Sequence, residues 1–134
     1  FSISYAKNIN NEYEIIKNNI DPNNISSSQN FFFASSYSKA TAIEDADVET
    51  NKMIASAKFI DYLSTLVDWP KKIDVQLKIA LWNFYVNKKQ IKLKKFQIVD
   101  QGKLGEYFYV VVGIPKEELL KITIKYSQII NSIR

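Results

Sequence analysis

The chain has 134 residues, an apolar fraction of 46% and a net charge of +4, a composition typical of one globular domain with a modest excess of positive charge. It contains no cysteine and no histidine, which excludes disulfide bonds, thiolate or imidazole catalysis and the usual ligands of transition metals. Its three glycines are too few for a phosphate-binding loop, and no apolar run approaches the roughly 20 residues that cross a bilayer. We therefore expect a non-enzymatic domain without metal or cofactor.

The first residue of the chain and its amino-acid bias bear on the processing and the source of the protein. The sequence starts at Phe1 rather than at methionine, so we expect a preceding segment in the precursor. A removed signal peptide or a trimmed lipid anchor explains such a start. Every basic residue except Arg134 is lysine, and asparagine and isoleucine are abundant, as in AT-rich bacterial coding sequences.

Residues 1–30 read as an N-terminal extension of the single domain 1–134. The alternation of Phe1, Ile3 and Tyr5 predicts a short strand in FSISYA. A helix is predicted next, because apolar residues recur at three- and four-residue steps: Ile9, Tyr13, Ile16 and Ile20. Asp21 and Pro22 then stop the helix, and NNISSSQN is predicted to be a polar loop.

A strand and a long alanine-rich helix are predicted next. The segment FFFASSYS, residues 31–38, has the aromatic bulk of a sheet strand, with Phe31 and Phe33 on one face and Phe32 on the other. Ser38 is the predicted cap of the helix, and Pro70 is its predicted end. The predicted buried stripe consists of Ile43, Ala46, Met53, Ala57, Ile60, Leu63 and Val67.

The region from residue 73 to residue 114 contains an ambiguous segment and a hairpin. Residues 73–89 fit either a strand or a helix, and their length with Asp74 as a cap favours a helix. In residues 91–98 the apolar phase changes, which predicts a bulge near Lys94 and Lys95. Gly102 and Gly105 are expected to form the hairpin connection, and EYFYVVVGI is predicted to be the central strand.

The C-terminal residues predict a final amphipathic helix. Pro115 is expected in its first turn, and Glu117 and Glu118 lie near the positive end of its dipole. The predicted buried stripe consists of Leu119, Ile122, Tyr126, Ile129, Ile130 and Ile133. The predicted fold class is α+β, an antiparallel sheet with the long alanine-rich helix and the C-terminal helix packed on it.

Four acids, Glu44, Asp45, Asp47 and Glu49, open the long helix. They supply the oxygen ligands that calcium prefers. On a helix, however, they fall on two separate faces, and acids in a first turn offset the helix dipole by about 0.3–1 kcal/mol each. We therefore interpret the cluster as the charged beginning of a helix.

The candidate interaction surface is a lysine-rich strip with aromatic neighbours: Lys88, Lys89, Lys92, Lys94, Lys95, Trp82 and Tyr85. Lys71, Lys72 and Lys78 precede it. The strip could contact phosphates of single-stranded nucleic acid or anionic lipid headgroups. The alternative is a sheet edge that lysines protect from aggregation, and we prefer it because arginine, the usual base reader, is nearly absent.

Other aromatic residues offer a second candidate surface, formed by Tyr107, Phe108 and Tyr109 with the two tryptophans. Aromatic residues in strands usually pack in a core or across strands, so we interpret these residues as core or cross-strand packing.

The segment KATAIEDADVETNKMIASAKFIDYL, preceded by a strand that ends in small polar residues, resembles the opening of the twenty-kilodalton bacterial lipoprotein family. It is also similar to the N-terminal domain of flagellar assembly protein T. The later segment GEYFYVVVGIPKEEL resembles the Tyr-Val-rich strand that turns into a helix in these families, and the match spans residues 31–134. The resemblance implies a periplasmic or outer-membrane domain, attached peripherally through an upstream lipid anchor.

The resemblance also implies protein–protein association, or self-association, without catalysis. We therefore expect a non-enzymatic cell-envelope domain that acts in protein binding or surface assembly. The alternative is a module that binds nucleic acid or anionic lipid through the strip from Lys88 to Lys95, and of these two ligands nucleic acid is disfavoured.

Overall fold

The computed structural model describes the backbone of residues 2–87 and 93–132, and the side chains of residues 8–84 and 93–132. In chain order the elements are α1 (Ser2–Ile16), β1 (Ser26–Ser27), β2 (Phe31–Lys39), α2 (Glu44–Leu66), α3 (Val75–Asn87), β3 (Gln97–Leu104), β4 (Tyr107–Pro115) and α4 (Lys116–Ser132). A 3₁₀ turn at Lys17–Asn19 follows α1. These elements form an antiparallel sheet with helices packed on it, which confirms the predicted α+β class.

The strands lie in the order β1-β2-β4-β3, and each neighbouring pair is antiparallel. β2 and β4 pair along their whole length, from Phe31 opposite Pro115 to Lys39 opposite Tyr107. β4 therefore lies inside the sheet, where β-branched residues are favoured because both faces are covered. Val110 and Val112 are fully buried, so the predicted central position of this strand is confirmed.

Helices cover both faces of the sheet. On one face, α1 packs Ile9 and Tyr13 against Phe31, Phe33 and Val111. On the other face, α2 and α4 form a larger core with alternate residues of β2 and β4, and its members include Ala34, Phe59, Leu63, Val110, Leu119 and Ile130. Phe32 packs against this second core, so the predicted division of the three phenylalanines is confirmed.

Polar contacts attach α1 to the sheet. The Glu12 carboxylate accepts hydrogen bonds from the Ser28 hydroxyl at 2.6 Å and the Asn30 backbone N–H at 2.8 Å. Burial acts to raise the pKa of Glu12, but these hydrogen bonds outweigh it and the net pKa is lowered. The Tyr13 hydroxyl donates to Asp100 at 2.7 Å, and burial together with that carboxylate raises the pKa of Tyr13. These contacts tie the helix to the turn between β1 and β2 and to strand β3.

Two predictions for the N-terminal residues are wrong. The segment FSISYA is helical from Ser2 onwards, because Tyr5, Ile9 and Tyr13 continue one helical repeat at four-residue steps. The predicted loop NNISSSQN contains the short strand β1, whose Ser26 and Ser27 pair with Phe33 and Phe32.

The predicted beginning and buried stripe of the long helix need correction. Ser38 belongs to β2 and does not cap α2, because the strand pairing continues to Lys39. The true inner face contains Asp47, Asn51, Ala55, Phe59 and Leu63, whereas four predicted stripe residues, Ile43, Ala46, Met53 and Ala57, are exposed. The prediction failed because it excluded polar residues from the core. Leu63 and Val67 are buried as predicted.

The hairpin differs from the prediction in detail. Its irregularity lies between Ile98 and Asp100, and the apolar phase changes near Lys94 because Lys95 has a left-handed backbone, with φ of 62°, before β3 begins. Gly105 lies in the turn as predicted, with φ of +61°. Gly102 instead lies in β3, where a Cβ would meet the Tyr109 ring at 3.3 Å.

The C-terminal helix follows the prediction closely. Pro115 is the last residue of β4, opposite Phe31, rather than part of the helix. Glu117 and Glu118 lie in the first turn of α4 as expected. Leu119, Tyr126 and Ile130 are buried, Ile122 and Ile129 are partly buried, and Ile133 lies outside the described residues.

Candidate interaction surface

The ambiguous segment after Pro70 is helix α3, as its length and cap predicted. The Asp74 carboxylate accepts a hydrogen bond from the Leu77 backbone N–H at 2.8 Å, so Asp74 caps the helix. The Lys78 N–H donates to the Asp74 carbonyl at 3.1 Å and closes the first turn. This cap fixes where α3 leaves the loop at the end of α2.

Unusually for a helix so rich in apolar residues, α3 exposes most of its large apolar side chains that the structure describes. Val75 is 66% exposed, Leu77 46%, Ile79 50% and Phe84 50%. We call these four residues the α3 surface. Among the described side chains of α3, Trp82 alone is buried, at 8% exposure. Large exposed apolar groups that share one short element are typical of a binding surface.

The α3 surface is divided into two flanks. At about 100° per residue, Val75 and Ile79 fall on one side of the helix, and Leu77 and Phe84 fall on the other. Exposed Gln76 and Asn83 lie between the two flanks, about 100–120° around the helix from Trp82. Polar side chains therefore separate the two apolar flanks on this side of α3.

A cleft of about 270 Å³ adjoins the first flank, at the junction between the end of α2 and α3. Its lining residues are Ser64, Trp69, Lys78, Ile79, Trp82 and Asn83. The Trp69 and Trp82 rings meet edge to face, with centroids 6.4 Å apart. The cleft is thus partly walled by two indoles and carries one cationic side chain.

The two indole N–H groups of the cleft differ in their partners. Trp69 Nε1 donates to the Ser64 carbonyl at 2.9 Å. Trp82 Nε1 is buried and has no acceptor among the described residues. A buried donor without a partner costs about 1–3 kcal/mol, because it loses its hydrogen bond to water and gains none. Sequence reasoning missed this feature, since nothing in the sequence distinguishes the two tryptophans.

The lysine-rich strip is only partly described. Lys88, Lys89 and Lys92 lie outside the described residues, as does the Tyr85 side chain. Lys94 is exposed, and Lys95 lies 3.9 Å from the Glu118 carboxylate. Trp82 is buried, so the prediction that it presents a stacking face at the open surface is wrong. Among the described side chains of α3, the exposed aromatic residue is Phe84, two residues after Trp82.

Charge is concentrated around α3. Residues 69–96 contain eight lysines and one acid, Asp74, a local charge of +7 in a chain whose net charge is +4. Lys71 and Lys72 are exposed in the loop before α3. Lysines also precede the edge strand β3, as expected for an edge protected from aggregation.

The hairpin aromatics divide between the core and the surface. Phe108 is buried in the larger core, as predicted. Tyr107 is exposed and packs across strands, because its ring meets the Tyr37 ring of β2 edge to face with centroids 5.9 Å apart, which is the cross-strand alternative of the prediction. Tyr109 is partly buried, and its hydroxyl donates to Asp100 at 3.2 Å.

The acids at the start of α2 form no common site. Glu44, Asp45 and Glu49 are exposed, and within the described parts of the chain no three acids are placed to hold a metal ion. Asp47 instead is buried and accepts hydrogen bonds from the Thr41 N–H at 2.9 Å and the Thr41 hydroxyl at 2.8 Å. It fixes the loop that precedes α2, in addition to its place near the helix dipole.

A buried amide next to Asp47 was not predicted. Asn51 accepts from the Ser36 hydroxyl at 2.9 Å, and its side-chain N–H groups donate to the Ser38 hydroxyl and the Asp47 carbonyl, each at 2.9 Å. It is fully buried between α2 and β2. The signal available in the sequence was the four-residue repeat from Asp47 through Asn51 and Ala55 to Phe59.

Comparison of the chain with models of known protein families, with curated proteins and with solved structures finds no match. The similarity of residues 31–134 to the twenty-kilodalton lipoproteins and to flagellar assembly protein T therefore stays a prediction. In the portion of the chain that is described, no helix is both long enough and apolar enough to cross a bilayer.

Proposed function

We propose that this chain is a non-enzymatic protein-binding domain of the bacterial cell envelope, and that it binds an acidic segment of a partner protein through the α3 surface. The observation that carries the proposal is the exposure of Val75, Leu77, Ile79 and Phe84 on one capped helix. Burying such side chains yields about 25 cal/mol for each Å² removed from water, so a partner that covers them gains affinity.

The arrangement of α3 favours a protein over a bilayer. A helix that lies in a membrane interface turns a continuous apolar face toward the acyl chains. Here exposed Gln76 and Asn83 lie between the two flanks, so the exposed apolar residues do not form one continuous face. A partner protein can pack against both flanks while Gln76 and Asn83 stay in contact with water.

The charge around α3 favours a partner of opposite sign over a second copy of the chain. Two α3 surfaces facing each other would bring together two segments of charge +7. Juxtaposed like charges disfavour association, whereas opposite charges steer the encounter and fix its orientation. The proposed occupant is therefore a partner segment with apolar residues and several carboxylates.

The proposed compartment is supported by the resemblance of residues 31–134 to envelope lipoproteins. Fractionation of cells that express the full precursor tests it. We expect the protein in the envelope fraction, accessible to protease once the outer membrane is opened. Recovery in the cytosolic fraction would remove this part of the proposal and leave the α3 surface unaffected.

Site-specific photo-crosslinking in cells of the source organism tests the surface directly. A photoreactive phenylalanine analogue is introduced at Val75 or at Leu77, one on each flank, and at Ile124 as a matched control. Ile124 is an exposed apolar residue of α4. We expect both α3 positions to give an adduct with the same protein, and the control to give none.

The adduct is then identified by mass spectrometry and its affinity is measured with purified components. A purified partner that binds with a dissociation constant in the micromolar range or below supports the proposal. Adducts of twice the mass of the chain would show self-association instead. The absence of any adduct at Val75 and Leu77, or equal yield at Ile124, would contradict the proposal.

Two titrations test the other anionic ligands suggested by the lysines. Fluorescence polarisation with single-stranded DNA and sedimentation with phosphatidylcholine vesicles, with and without phosphatidylserine, are measured across a salt series. We expect no binding that survives moderate salt. Salt-dependent binding that is lost in a Lys94→Glu variant would favour nucleic acid or lipid over a protein partner.

A further inference from the structure

We infer that the cleft between Trp69 and Trp82 binds a carboxylate group carried on a flat apolar body. The inference rests on the proposed function in one respect, because the acidic partner segment is the expected source of this group. The cleft itself is present in the free domain, with a volume of about 270 Å³ and walls formed partly by indole rings. It is suited to one anchoring side chain rather than to a long segment.

The hydrogen-bonding state of the two tryptophans identifies the missing partner as an acceptor. Trp69 Nε1–H is already bound to the Ser64 carbonyl. Trp82 is more than nine-tenths buried, lines the cleft, and its Nε1–H has no acceptor in the described part of the protein. Indole N–H groups donate and cannot accept, so the group that satisfies Trp82 must carry an oxygen lone pair or an equivalent.

The charge of the cleft makes this acceptor an anion. Lys78 lines the cleft and forms no ion pair with any described carboxylate, and no acidic residue is part of the lining. Trp82 Nε1 is itself buried, so the indole ring must turn toward the cleft before one carboxylate oxygen accepts from it while the other accepts from the Lys78 ammonium. An ammonium group would be repelled by Lys78, and a neutral amide would forgo the charged interaction.

The walls of the cleft select the rest of the ligand. Trp69, Trp82 and Ile79 present carbon atoms, against which an aromatic ring packs well. A phosphate group needs more hydrogen-bond donors than a carboxylate does. It fits these apolar walls poorly, because the cleft offers few donors that are not already engaged. The expected ligand class is an aryl carboxylate or an acidic side chain beside an apolar one.

Proton–nitrogen NMR of the intact domain tests the inference, because the two tryptophans give two indole signals. The probe is phenylacetate, and the matched controls are phenylacetamide, phenethylamine and inorganic phosphate. A Trp69→Phe variant assigns the remaining signal to Trp82. We expect phenylacetate to move the Trp82 indole signal saturably, and each control to bind at least about tenfold more weakly.

A pair of variants separates this site from the α3 surface as a whole. Lys78→Gln removes the cleft's charge and is expected to weaken phenylacetate about tenfold while leaving the response to phenylacetamide unchanged. The Leu77→Gln/Phe84→Gln variant alters the flank that does not line the cleft. It is expected to lose the photo-crosslinked partner and to retain phenylacetate binding.

The outcomes distinguish the two proposals. A saturable Trp82 shift without any partner adduct would retain the cleft as a site for free small carboxylates and reject the proposed function. A partner adduct without a Trp82 shift would retain the proposed function and reject the cleft as a carboxylate site. An unmoved Trp82 signal at the highest soluble phenylacetate concentration, or equal shifts with phenethylamine, would overturn the inference.

Discussion

Helices α2 and α3 follow each other in the chain and differ in which side chains they bury: α2 buries polar residues, whereas α3 exposes apolar ones. α2 buries the polar residues Asp47 and Asn51 on its inner face and exposes the apolar Met53. Among its described side chains, α3 exposes four large apolar residues and buries one tryptophan. In α2 the buried Asp47 and Asn51 have hydrogen-bond partners, whereas in α3 the Trp82 N–H has no acceptor within the described residues.

This difference separates a structural role from a binding role. A buried amide that is fully hydrogen-bonded contributes to one well-defined packing of helix and sheet. Removing it destabilises the folded domain, because its buried partner groups are left without hydrogen bonds. An exposed apolar flank contributes little to folding, because folding does not remove it from water. The two helices therefore predict opposite responses to the same kind of substitution.

The largest expected effect is that of Asn51→Leu in α2. The leucine would leave the Ser36 hydroxyl, the Ser38 hydroxyl and the Asp47 carbonyl without their present partner, and we expect a loss of about 3 kcal/mol in the free energy of unfolding. Urea unfolding followed by circular dichroism measures it. The control is Thr50→Ala at the exposed neighbour, expected to stay within about 0.5 kcal/mol. A stable Asn51→Leu variant would break the comparison.

A smaller loss is expected for Asp47→Ala. This variant removes the two carboxylate oxygens that accept from the Thr41 N–H and hydroxyl, which weakens the attachment of the loop before α2, and we expect a cost of about 2 kcal/mol. Asp45→Ala, at an exposed position in the same turn, is the matched control. The same urea measurement checks both. Equal costs at the two positions would show that the helix dipole, rather than the buried contacts, accounts for the effect.

Helix α1 extends the comparison, because a partly buried polar contact, between the Glu12 carboxylate and the Ser28 hydroxyl, also attaches this helix to the domain. The lowered pKa of Glu12 means that its contribution is present above the free value of 4.5 and is lost as the pH falls through the lowered folded value. We expect Glu12→Gln to cost about 1 kcal/mol at neutral pH and less in acid. Urea midpoints of wild type and variant at pH 7 and pH 3 test this. A difference that widens in acid would contradict it, and Glu14→Gln serves as the exposed control.

The smallest expected effect belongs to α3. Leu77→Gln should lower the free energy of unfolding by less than about 1 kcal/mol, because nearly half of the Leu77 surface is in contact with water in the folded domain. Leu63→Gln, the same substitution at a fully buried position of α2, should cost several times as much. Thermal and urea unfolding of the two variants give the comparison. Similar losses at Leu77 and Leu63 would place Leu77 in the folding core.

The order of elements could be predicted wherever apolar periodicity alone decides the structure. β2, β4 and α4 followed from runs of aromatic and β-branched residues and from a stripe at helical spacing. The inner face of α2 could not be predicted in this way, since Asp47 and Asn51 are tolerated in the core by partners on β2 and in the preceding loop. Hydrogen bonds between distant residues leave no periodic signal.

The sequence predicted the location of the candidate site, but it did not predict which residues form its surface. The apolar segment beside the lysines pointed to residues 73–95, and α3 occupies much of that range. Trp82 was expected at the surface, whereas the exposed groups are Val75, Leu77, Ile79 and Phe84. In a helix that is apolar on nearly all sides, sequence cannot tell which side chain meets the domain, because that depends on where the preceding loop directs the helix.

The central claim is that the flanks of α3 contact a partner and do not stabilise the fold. The most direct test is the photo-crosslinked adduct yield of the Leu77→Gln/Phe84→Gln variant with the reactive residue at Val75, measured in cells. We predict at least about a tenfold lower yield than in the parent, with an unchanged urea midpoint. An undiminished yield, or a lower yield accompanied by an unfolded variant, would contradict the claim.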